Sequence, residues 1–95
     1  SHISLADNGT QAIDTYGFTS GFLFVSEGSL AEGAYIFYLK GGANAVVEIS
    51  DYAGTGSTAS GTASSVNVYN TGSGTYSIEN KRGGARTYNL HYMGF

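Results

Sequence analysis

The sequence predicts an all-β fold: an antiparallel β-sandwich, jelly-roll-like, of about eight strands. Three observations lead there. Apolar residues alternate with a period of two along most of the chain. Glycine-rich breaks, drawn from 15 glycines in 95 residues, recur at the spacing of short strands. No segment shows the i, i+3, i+4, i+7 apolar spacing of a capped helix.

In chain order, residues 2–6 (HISLA) read as a short first strand and residues 11–14 as a second. Residues 17–21 connect them to a strand over residues 21–26 (GFLFVS), which runs into a turn-rich stretch over residues 27–33. Ala34–Lys40 (AYIFYLK) is the clearest strand and is closed by Gly41-Gly42; residues 45–52 (AVVEISDY) follow. Residues 53–65 (AGTGSTASGTASS) contain no large apolar side chain and read as a long loop with room for one weak strand. Residues 66–70, Thr75–Asn80 and residues 86–93 complete the set. Asn-Thr-Gly-Ser-Gly (residues 70–74) and Lys-Arg-Gly-Gly-Ala (residues 81–85) read as hairpin turns, because glycine reaches positive φ without steric cost.

Composition narrows the class. A chain of this length forms one domain, residues 1–95, and buries only about 60–65% of the surface its unfolded form exposes. Aromatic residues make up 14% and charged residues 12%, the reverse of a disordered segment. Lys and Arg total four against seven Asp and Glu, a net charge of −3 that leaves no basic stripe for nucleic acid. No apolar run approaches the ~18 residues of a bilayer-spanning helix, so membrane insertion is not expected. There is no Cys to staple the fold. Ser1-His2 reads as the remnant of a tag, and the chain as a piece of a longer protein.

Catalytic signatures are missing. The histidines are His2 and His91, and no serine stands in a G-x-S-x-G elbow. Gly-Thr-Gly-Ser (54–57) and Gly-Ser-Gly-Thr (72–75) lack the Lys-Ser/Thr ending of a phosphate loop. Asp7-Asn8-Gly9 lacks the alternating acidic ligands of a calcium loop and reads as a turn. The sequence therefore predicts no enzyme, no cofactor and no metal ion.

What remains is surface. Residues 66–70 set Asn67 and Tyr69 against inward Val66 and Val68, and the last strand sets Asn89 and His91 against Tyr88, Leu90 and Tyr92. Asn67, Tyr69, Asn89 and His91 are the candidate receptor-binding residues, since Tyr and Asn give amphipathic contact area suited to protein or sugar. Residues 21–26 and Ala34–Lys40 are apolar on both faces, and both faces need cover. Taking Phe22, Phe24, Tyr35, Phe37 and Leu39 as inward, with Val47, Ile49, Val66, Val68, Ile78, Leu90 and Tyr92, leaves Leu23, Val25, Ile36 and Tyr38 for an oligomer interface. The intervening loops offer little apolar surface, so a second copy is the economical cover.

Residues 66–70, Thr-Tyr-Ser-Ile-Glu-Asn (75–80), Lys-Arg-Gly-Gly-Ala-Arg (81–86) and Thr-Tyr-Asn-Leu-His-Tyr (87–92) together resemble the carboxy-terminal domain of bacteriophage tail-fibre and other virion fibre proteins. There an I-E-N-(K/R)-x-G-x-x-R hairpin leads into a final alternating strand. Phe-Thr-Ser-Gly-Phe-Leu-Phe-Val (18–25) and Gly-Gly-Ala-Asn-Ala-Val-Val (41–47) look like that family's first core strand and its middle turn and strand, so the likeness spans most of residues 7–95. It implies location in a virion fibre and homotrimer assembly more than any particular receptor; the expected role is attachment to a host-surface glycan or protein receptor, or fibre-end assembly. The rival from another class is a carbohydrate-binding module of a secreted bacterial enzyme or adhesin, working as a monomer.

Overall fold

The computed structural model describes residues 1–28 and 33–95. Among the described residues nine strands form two sheets. They are β1 (His2–Leu5), β2 (Thr10–Ala12), β3 (Ser20–Glu27), β4 (Ala34–Lys40), β5 (Ala45–Asp51), β6 (Gly56–Ser57), β7 (Val66–Gly72), β8 (Thr75–Asn80) and β9 (Arg86–Gly94). A five-stranded sheet runs β1-β9-β3-β4-β5 and a four-stranded sheet β2-β8-β7-β6. Every pairing is antiparallel except β6 with β7, which is parallel. The strands stand close to where alternation puts them, and the weak strand inside the long loop is β6. Of the expected turn over 27–33, residues 29–32 lie outside the described residues.

Side chains from the two sheets meet in one core. Leu23, Val25, Tyr35, Phe37, Leu39 and Tyr88 come from the larger sheet; Val66, Val68, Tyr76 and Ile78 come from the smaller. The arrangement is a β-sandwich with a single apolar interior.

The phase of β3 is the opposite of the sequence expectation. Leu23 pairs with Phe37 and Val25 with Tyr35, so Leu23 and Val25 are 0% and 3% exposed, while Phe22 and Phe24 point outward. Two residues of β3 set this choice. Gly21 sits on the inward register so close to β9 that an added Cβ would lie 2.5 Å from the Tyr92 ring, where no larger residue fits. Glu27, also inward, is held by Arg82 Nε at 3.0 Å. The expectation also fails at the edge. β5 pairs so that Val46 lies beside inward Leu39 and Val47 beside outward Tyr38, and a register shift between Ile36 and Phe37 leaves Ile49 without a partner and 55% exposed. Leu90 and Tyr92 are partly buried against the core.

Residues 70–74 do make a hairpin, joining β7 to β8. Residues 81–85 do not. Gly83 has the expected positive φ of 95°, yet the segment carries the chain from β8 in one sheet to β9 in the other. It is a corner between layers.

Candidate functional site

The two outer faces of the sandwich are finished differently. Over the four-stranded sheet the long loop folds back: Asn67 Nδ2 donates to Thr62 O at 3.1 Å and to Glu79 Oε1 at 2.8 Å, and the Gly61 N–H donates to the same carboxylate at 2.7 Å. Burial alone would raise the Glu79 pKa, but these two donors outweigh it and hold the carboxyl below the usual range. Asn67 points outward as the alternation requires, but the loop covers it completely. It is not a surface residue, because its amide is spent on fastening that loop.

Among the described residues the outer face of the five-stranded sheet carries no such cover. Pairing registers place its side chains in rows across β9, β3, β4 and β5. The first row is Met93, Phe22, Tyr38 and Val47, joined by the last residue, Phe95. Phe22 lies 5.5 Å from both Tyr38 and Phe95, and Phe95 stacks on Tyr38 at 6.1 Å with the rings 11° apart. These offset geometries add attraction beyond burial. Met93 and Phe95 remain 50% and 59% exposed. Lys40 is the one full charge on the outward register positions of this sheet among the described residues.

The second and third rows differ in chemistry. His91, Phe24, Ile36 and Ser50 form one; Asn89, Ser26 and Ala34 form the other, with Tyr52 at the end of β5. Together they line a shallow depression of about 420 Å³. Phe24 and His91 rings lie 6.0 Å apart, and His2 Nδ1 lies 2.8 Å from Asn89 Oδ1.

The candidate residues therefore separate. Asn89 and His91 share this depression; Tyr69 lies on the opposite side of the molecule beside the covered Asn67. Ile36 and Tyr38 are on the open face as expected, whereas Leu23 and Val25 are interior. Alternation missed Phe22 and Phe24 because it assigned them to the core. It missed Tyr52, Met93 and Phe95 because they stand at strand ends.

The Ile-Glu-Asn-Lys-Arg-Gly run (78–83) is fully engaged within the chain. Ile78 is core. Asn80, completely buried, donates to the carbonyls of Leu5, Ala6 and Gly84 and accepts from Tyr88 Oη at 3.2 Å and Arg82 N at 3.0 Å. Lys81 Nζ donates to Asn8 Oδ1 at 2.9 Å, and Arg82 reaches Glu27. Among the described residues no group of three His, Cys, Asp or Glu side chains could hold a metal ion. Comparison with protein-family models, with curated proteins and with solved structures finds no match to this chain.

Proposed function

We propose that this chain is a non-enzymatic domain of the bacteriophage virion-fibre type that assembles with copies of itself, as a homotrimer, and serves host-surface attachment or fibre-end assembly. The observation that carries the reading is the row Met93, Phe22, Tyr38, Val47 and Phe95. It is apolar and uncharged, with Val47, Met93 and Phe95 exposed and Phe22 and Tyr38 half-buried between them, on a protein whose net charge of −3 would otherwise make copies repel. Exposed apolar patches rimmed by polar residues mark interaction sites. The jelly-roll-like reading draws on the nesting of strands, first with last (β1–β9) and second with next-to-last (β2–β8). The rival, a monomeric carbohydrate-binding module, draws on the depression beside that row, where Ser26, Ser50, Asn89 and His91 stand among apolar side chains.

Sedimentation velocity at micromolar concentration separates the two. The trimer predicts a particle three times the 9.9 kDa chain mass, reduced to a monomer by Tyr38→Lys or Met93→Lys with the circular dichroism unchanged. A 9.9 kDa species at all concentrations overturns the assembly reading in favour of the monomeric module.

A further inference from the structure

The open face offers two kinds of surface, and their hydrogen-bonding inventories differ. The Met93–Phe22–Tyr38–Val47 row presents almost nothing but carbon. The neighbouring depression is also largely apolar, with Phe24, Ala34, Ile36 and Tyr52 in its lining, but it adds two hydroxyls, an amide and an imidazole, from Ser26, Ser50, Asn89 and His91. An apolar protein surface seated there would strip water from those four groups and leave them unpaired, at a cost of about 1–3 kcal/mol for each that is buried. No Asp, Glu, Lys or Arg lines the depression, so nothing in it selects for an ion. It favours a neutral ligand carrying both hydroxyls and a carbon face. Its volume of about 420 Å³ is in the range of small-molecule sites, roughly 300–1,000 Å³.

A pyranose has that chemistry: equatorial hydroxyls at the rim and a patch of polarised C–H bonds on one face, which the negative face of an aromatic ring attracts. Tyr52 is 88% exposed, with a ring that the fold itself hardly uses. Asn89 is partly committed already: its Oδ1 lies against His2 Nδ1, which leaves its Nδ2 as the group to donate. We propose that the depression is a subsite for one neutral sugar residue, stacked on Tyr52 and hydrogen-bonded by Asn89, His91, Ser26 and Ser50. This rests on the outer face being the working surface, but not on the number of copies assembled.

The test is a ¹H–¹⁵N NMR titration of the full chain with neutral hexoses and N-acetylhexosamines at millimolar concentration, with sedimentation run on the same samples. Saturable shifts confined to Ser26, Ser50, Tyr52, Asn89 and His91 are expected, with affinity at least tenfold weaker in Tyr52→Ala and in Asn89→Ala. Tyr38→Lys is expected to bind sugar as the parent does even where it changes the sedimenting mass. A failed assembly with intact sugar shifts therefore overturns only the trimer. The subsite is overturned by an absence of saturable shifts with every sugar, by undiminished binding in a folded Tyr52→Ala, or by shifts produced only by a protein or peptide surface.

Discussion

Two phenylalanines on neighbouring strands have opposite fates. Phe37 is wholly buried, its ring 6.2 Å from that of Tyr35 and its register partner Leu23 beside it; Phe24 is 36% exposed on the other side of the same sheet. Phe37→Ala is expected to cost about 3–5 kcal/mol, through lost transfer energy and the cavity left behind. That is a large share of the ~5–15 kcal/mol that holds a typical domain together. Phe24→Ala is expected to cost about 1 kcal/mol or less, as substitutions away from the core do. Denaturant midpoints of the two variants check this, and equal losses would contradict the observed phase of β3. Alternation locates β3 in the sequence but cannot orient it, because Phe-Leu-Phe-Val is apolar on both phases. The deciding residues are Gly21 and Glu27, and their reasons are Tyr92 and Arg82, far away in the chain. The candidate site inherits that ambiguity: Ile36 and Tyr38 were legible as outward, but their neighbours on β3 were not.

At the level of elements, the corner between β8 and β9 ties the two layers together, and its hardware is polar. Glu27, 2% exposed at the end of β3, receives Arg82 Nε at 3.0 Å and lies 3.8 Å from Arg86 Nε. Tyr35 Oη donates to Glu27 Oε1 at 3.2 Å, and lies 2.5 Å from Thr55 Oγ1 in the long loop. Burial works to lower the Arg82 pKa, yet its hydrogen bond and attraction to Glu27 prevail and raise it. Removing the partner of a buried carboxylate costs about 3–5 kcal/mol, whereas replacing both members with uncharged residues of similar size is often neutral or better. Arg82→Ala is thus expected to lower the unfolding midpoint sharply, and the double variant Glu27→Gln with Arg82→Met to recover much of the loss. Equal instability of the two would show that packing, not the unpaired charge, governs the corner. The glycines of residues 81–85 announced a turn, and Gly83 makes one. Turn chemistry states the local path of the backbone, not which sheet receives the next strand, so a hairpin and a corner read alike. Likewise nothing in the small polar residues of the long loop tells which outer face it will cover; that follows from Asn67 and Glu79 acting jointly.

For the molecule as a whole, the same polar corner makes stability depend on alkaline pH. Burial is the main force that raises the Tyr35 phenol, to about 12 from an ordinary value of 10.0, with the Glu27 carboxylate adding to it against Thr55 and Arg82. Burial, followed by Glu27 and Tyr35, pushes Tyr88 up further still. Both phenols hold their protons more tightly folded than unfolded, so the unfolded chain sheds protons first as pH rises. The stability they contribute is complete below pH 10.0 and falls as pH climbs toward and beyond about 12. Tyr35 and Tyr88 come from strands β4 and β9 and reach the loop and the corner respectively, so their ionisation opens both ends of the contact between layers. The expected course is a denaturant midpoint that is flat below pH 10 and declines steadily above it. Tyrosinate absorbance is expected to show a last group of phenols ionising together with the loss of the far-ultraviolet strand signal. Burial also raises Tyr76 and Tyr92, so Tyr35→Phe removes one of four such groups and is expected to make the decline shallower, whatever its effect at neutral pH. A chain whose eight tyrosines all ionise near pH 10 with its fold intact would contradict the buried positions of both rings.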